Sequence, residues 1–175
     1  MNRFSLLFVF FFGLLLITAC TSEDDLPAEP VINEVSYDAA SKELFINFTD
    51  GDGNFGLADA DTFPPYQSFE DTINQIPNPF HNNLWLDTYV KRDNEFVLLD
   101  FPGTLDFRVP VLTPAGQNKQ LRVKITYDVG VDLTDFETIS DELNYGDTLK
   151  FQVLLVDRDL NQSNLAETEP AVFTD

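Results

Sequence analysis

One cysteine, one histidine and ten basic residues among 175 leave much of protein chemistry out of reach. With Cys20 alone, no intrachain disulfide can form, and thiolate metal sites, iron–sulfur clusters and cysteine nucleophiles are excluded. A single imidazole, His81, cannot build a histidine-rich zinc site. No G-x-S-x-G stretch accompanies it, so a Ser-His-Asp arrangement has no supporting motif. The few Lys and Arg stand singly among 30 Asp and Glu, giving a formal net charge of −20. Nucleic-acid binding through counterion release needs clustered bases, so a nucleic-acid partner is excluded. The same charge suits solubility and cation binding. Helical periodicity and internal repeats are also scarce. What remains is a 43% apolar chain with 17 phenylalanines, enough to bury a core.

The first twenty residues read as an export signal: Arg3 is the positive flank, Leu6 to Ile17 is an apolar run, and small residues lead to Cys20. The run is short for a membrane span, which takes roughly 20 apolar residues. Ile17-Thr18-Ala19-Cys20 resembles the lipobox of bacterial lipoproteins. That resemblance implies cleavage before Cys20, covalent lipid on its thiol and amine, and a mature protein anchored to a membrane rather than spanning it. An ordinary secretory signal or an uncleaved anchor helix are the alternatives. The acidic cluster Thr21-Ser22-Glu23-Asp24-Asp25 is similar to the surface-export signal of Bacteroidota lipoproteins, or is a solvated linker. The expected organisation is a signal peptide at 1–19, an acidic tether at 20–30 and one domain at 31–175.

Period-two patterns dominate that domain. Val31 to Tyr37, the Leu44/Ile46/Phe48 alternation, Leu84 to Lys91, Glu95 to Leu99, Leu121 to Tyr127, Leu149 to Val156 and Ala166 to Phe173 all read as strands. Asp93-Asn94 is a hairpin turn, and Pro170 marks the last strand as an edge. These patterns predict an all-β, two-sheet sandwich of immunoglobulin-like or fibronectin-type-III-like form, with one long loop. Trp85 resembles the core tryptophan of such folds, and Asp157 to Asn164 resembles a type III turn between late strands. Two connections exceed ordinary turns: Asp50 to Asn83, and Asp128 to Asp147, which carries seven acids and no base. Thr138 to Leu143 could form one helical turn.

The sharpest local pattern is Asp50-Gly51-Asp52-Gly53-Asn54, followed by Asp59 and Asp61. Oxygens at alternate positions with glycines between them suit a hard cation such as Ca2+. Asp50, Asp52, Asn54 and Asp61 fall at the first, third, fifth and twelfth places of an EF-hand-like loop. Phe55 replaces the sixth-place glycine, an aspartate replaces the last glutamate, and helices do not flank it. The alternative is an Asx-rich turn without metal. The ends of the second and penultimate strands can share one pole of a sandwich, so Asp157, Asp159 and Asn161 are further candidate ligands. Arg158 could instead pair with a first-loop aspartate and replace the ion. This pairing of an early Asp-Gly-Asp-Gly with a late Asp-Arg-x-x-Asn-x-Ser-Asn is similar to uncharacterised Bacteroidota envelope lipoproteins. In the long loop, Tyr66, Phe69 and His81 beside amides form a candidate surface for glycan or peptide, with loop packing as the alternative. The expectation is a non-catalytic, lipid-anchored module of the cell envelope, outer membrane by resemblance, that binds a protein or glycan. The alternatives are a structural assembly subunit and a small glycan hydrolase.

Overall fold

The computed structural model describes residues 26–99, 105–113, 119–130, 132–133 and 142–174. The signal segment, Cys20 and the acidic cluster to Asp25 lie outside the described residues, as does most of the 138–143 segment. The described residues form ten strands: β1 Val31–Asp38, β2 Glu43–Asp50, β3 Phe69–Asp71, β4 Ile76–Pro77, β5 Leu84–Arg92, β6 Glu95–Leu98, β7 Leu121–Asp128, β8 Thr148–Leu155, β9 Ala166–Glu167 and β10 Ala171–Val172.

They make an all-β, two-sheet sandwich. One sheet has the order β1-β2-β7, the other β10-β8-β5-β6 with β9 also on β8, and β3-β4 form a separate small hairpin. Alternation fixes which face turns inward. Leu44, Ile46 and Phe48 of β2 meet Leu84, Leu86 and Val90 of β5 and Leu149, Phe151, Val153 and Leu155 of β8 in one buried cluster. A bulge between Ile32 and Glu34 lets Ile32, Val35 and Tyr37 all face that cluster although they are not evenly spaced by two. The β5–β6 turn is Asp93-Asn94 with φ of 48° and 72°, the left-handed pair that a two-residue hairpin turn needs. Pro170 divides the last strand into β9 and β10, which pair with the same strand, β8.

Trp85 departs from expectation. Strand β5 turns Leu84, Leu86, Thr88 and Val90 inward, so Trp85 lies on the outer face, half-buried. Its indole N–H donates to the carbonyls of Pro79 and Asn82 at 3.1 and 3.3 Å, and its ring stands 6.1 Å from Phe80. Phenylalanines take the central positions instead: Phe48, Phe55, Phe151 and Phe173 are all buried.

The Asp50-to-Asn83 connection holds the β3–β4 hairpin and a 3-10 turn, Pro79–His81, whose first N–H groups are capped by Asn78. It is locked down near its start. Leu57 N–H donates to Val109 O (2.9 Å) and Leu112 N–H to Phe55 O (3.1 Å), bringing Gly56 against Pro110. Gly56 has φ +105°, and a Cβ there would lie 2.3 Å from Pro110 O and 2.6 Å from Val111 Cα, both backbone atoms that cannot swing aside. Gly146 has a similar φ of +97° but open space around it. Gly146→Ala is therefore expected to cost only the conformational penalty, about 1–2 kcal/mol. Gly56→Ala adds overpacking and is expected to cost about 2–5 kcal/mol. Urea midpoints of the two variants check the difference.

Candidate functional site

Strand β2 ends at Asp50 and β8 ends just before Asp157, and the loops that follow meet at one pole of the sandwich. Asp50 is fully buried. Its Oδ1 accepts the Gly53 N–H at 2.6 Å, while Oδ2 has no hydrogen-bond partner among the described residues. Asp52 Oδ1 accepts the Asn54 N–H at 3.2 Å. The Asn54 side-chain amide then bridges the two loops, donating to Asp52 Oδ2 at 3.2 Å and to Asp159 Oδ2 at 2.9 Å. Asn54 Oδ1 is buried and also without a partner among the described residues. Asp157, 2% exposed, organises the second loop: Oδ1 accepts the N–H groups of Asp159 and Asn161, and Oδ2 accepts the Asn161 amide. Both loops are thus built on Asx-type turns.

Asp50, Asp52, Asn54, Asp157, Asp159 and Asn161 are thus brought to one pole. Asp59 and Asp61 are not part of that constellation. Asp59 is exposed in its turn. Asp61 pairs with Arg158 at 2.8 and 3.4 Å and accepts the Ala58 N–H at 2.8 Å, so its carboxyl is held below the usual carboxylate range, first by that N–H and next by the guanidinium. The arginine alternative is therefore realised at Asp61. Among the described residues no three His, Cys, Asp or Glu side chains stand at ready metal-binding spacing.

Tyr66 and His81 serve the loop itself. The Tyr66 hydroxyl donates to the Arg158 carbonyl, and burial raises its pKa. His81 Nδ1 lies 3.1 Å from Tyr66 O and 3.1 Å from Arg108. Phe69 stands 39% exposed on β3. Two fasteners escaped sequence reasoning. Arg108 donates to the carbonyls of His81 (2.7 Å), Ala58 (3.0 Å) and Asp61 (3.0 Å), tying the loop in three places. Buried Asn78 donates to the carbonyls of Pro65 (2.6 Å) and Gln67 (2.8 Å). An asparagine before proline was the only local signal. A separate shallow hollow of about 360 Å³ lies over the β2–β7 face, lined by Asn33, Asn47, Thr49, Arg122 and Lys124 among others. No family model and no curated protein matches the chain, so the site is read from its geometry.

Burial pushes the Asp50 carboxyl up to about 6 from 3.8; the Gly53 N–H opposes the rise, and the Asp52 and Asp157 charges add to it. The folded pKa lies above the unfolded one, so the native chain keeps a proton that the unfolded chain loses between about pH 4 and 6. This group's effect is to lower stability as pH rises through that window, with the loss complete above it. Asp50→Asn keeps an acceptor for Gly53 and removes the buried charge. In chelator at pH 7 the variant is expected to be more stable than the parent, by at most about 3 kcal/mol. At pH 4 the difference is expected to vanish. Urea melts at the two pH values measure it.

Proposed function

We propose that this protein is a lipid-anchored envelope lipoprotein whose sandwich acts, without catalysis, as a binding module, with the β3–β4 hairpin as its contact surface and a protein as its partner. The observation that carries the reading is a set of exposed apolar side chains on a stapled segment: Phe63 is 77% exposed, Ile73 90%, Ile76 49% and Phe69 39%. Apolar residues displayed in this density are ordinarily contact surface. The hairpin does not display them by being loose. Asp71 caps its tip through the N–H groups of Ile73 (2.8 Å) and Asn74 (3.1 Å), and Asn78 and Arg108 hold its base. Aliphatic Ile73 and Ile76 suit a protein surface better than a sugar face, which is recognised by flat rings beside amides.

Placement sharpens the proposal. The Gly51 N–H donates to Pro27 O at 2.8 Å, and a Cβ on Gly51 would lie 2.3 Å from the carbonyls of Leu26 and Pro27, so the tether crosses the Asp-rich loop. Cys20 to Leu26 spans at most about 20 Å when extended. With lipid on Cys20, the hairpin pole stands close to the membrane and favours a membrane-associated partner. Asp50 and Asp157 accept N–H groups of their own turns, the disposition of structural carboxylates rather than of an acid–base pair facing a substrate.

In cells, the parent is expected in the membrane fraction with acyl mass on the peptide beginning at Cys20; Cys20→Ala is expected to lose both. A photo-crosslinking residue at Ile73 is expected to give a discrete adduct, and one at Thr126, exposed on β7, none. Phe69→Ser with Ile76→Ser should cut the Ile73 adduct about tenfold or more, the effect of losing about 1.4 kcal/mol. An adduct from Thr126 and none from Ile73 would favour the assembly-subunit reading, with a sheet face as the docking surface.

A further inference from the structure

Four carboxylates, Asp50, Asp52, Asp157 and Asp159, gather at the pole where the β2 and β8 loops meet, and the side chain that links them there is a neutral amide, Asn54. An acidic cluster at a surface is ordinary. The difference here is that Asp50 is fully buried and its Oδ2 has no hydrogen-bond partner among the described residues. That carboxylate lies against the Asp52 carboxylate, so an acceptor faces an acceptor. Asn54 Oδ1, in the same loop, is a second buried oxygen lacking a donor. Leaving such atoms unsatisfied costs about 1–3 kcal/mol each, and more when charged. The arginine that follows Asp157 does not relieve them, since its guanidinium is drawn to Asp61.

We propose that this pole is a calcium site, with Asp50 Oδ2 and Asn54 Oδ1 as its buried ligands and the Asp52 and Asp159 carboxylates closing over the ion. All the offered atoms are oxygens, three carboxylates and an amide with no imidazole or thiolate among them, which suits a hard cation such as Ca2+. Asp50, Asp52 and Asp159 do not stand together at ready metal-binding spacing as they are. Asp52 and Asp159 are clamped by the Asn54 amide, and both are solvent-accessible, so turning to the ion exchanges two hydrogen bonds for two metal bonds. Asp157, whose oxygens are occupied by N–H groups of its turn, is a positioning residue. The ion would lock together loops 105 residues apart in sequence.

The test is a thermal melt and calorimetric titration of the full-length protein in detergent, with Ca2+, with Mg2+ and with chelator. Calcium at a hundredfold over its Kd is expected to raise Tm by about 5–10 °C. The titration should give one site per chain. Asp50→Asn and Asp159→Asn should each abolish the response. Asp61→Asn, which breaks the ion pair outside the site, should keep it even if its starting Tm is lower. The unfolding of any variant is visible in chelator, separating lost folding from lost binding. No shift with calcium, an equal shift with magnesium, or a calcium shift surviving in Asp50→Asn would each overturn the proposal. None of these outcomes bears on crosslinking at Ile73.

Discussion

The ring of Phe55 lies 4.6 Å from that of Phe48, and both are buried. Much of the pole follows from that one contact. Phe48 belongs to β2 and Phe55 to the loop beyond it, so burying both forces the intervening chain to fold back over the end of the sandwich. The Asp50 carboxylate is carried under cover as a consequence. Truncating either ring to alanine would remove about 3–5 kcal/mol of packing and with it the reason for the loop's shape. With a single cysteine and no covalent cross-link available, apolar contacts of this kind must hold the sheets together.

In so acidic a chain the arginines are used as fasteners. Arg108 ties the long loop through three carbonyls, and Arg158 joins the β8 turn to Asp61. At the opposite connection, Arg92 makes a two-pronged pair with Asp147 at 2.9 Å and donates to the Glu142 carbonyl. A planar guanidinium can satisfy several acceptors at once, which suits loops rich in unpaired carbonyls. Lysines instead lie over aromatic rings of the sheets, Lys124 over Phe45 at 4.4 Å and Lys150 over Phe96 at 5.1 Å. The Asp50–Asp159 cluster is distinctive in that its own carboxylates, Asp52 and Asp159, are bridged by the Asn54 amide, while Arg158 is spent on Asp61 of the same loop.

The same pole collects the tether crossing, the carboxylate cluster and the apolar hairpin. Antiparallel pairing of Val31 with Thr49 places the tether there, because the chain entering β1 must lie beside the chain leaving β2. With the proposed lipid on Cys20, a tether fixed at that end would orient the domain as well as retain it.

Apart from the β3–β4 hairpin inside the long loop, the sequence by itself determined the strands, the class of fold and the hairpin turn at Asp93-Asn94. Those depend on alternation between residues two apart and on the backbone tolerance of single residues, both of which are local. It also located Asp50, Asp52, Asp157 and Asp159 as residues that could meet. Only the tertiary structure decided that Trp85 faces outward, that Arg158 takes Asp61 rather than Asp50, and that Tyr66 and His81 are occupied in holding the long loop in place. Each of those outcomes turns on which distant segments are brought side by side. Which face of β5 is buried depends on where β8 and the opposing sheet lie, and the partner of a guanidinium depends on a loop 97 residues away. Pattern along the chain carries no record of that proximity; packing does.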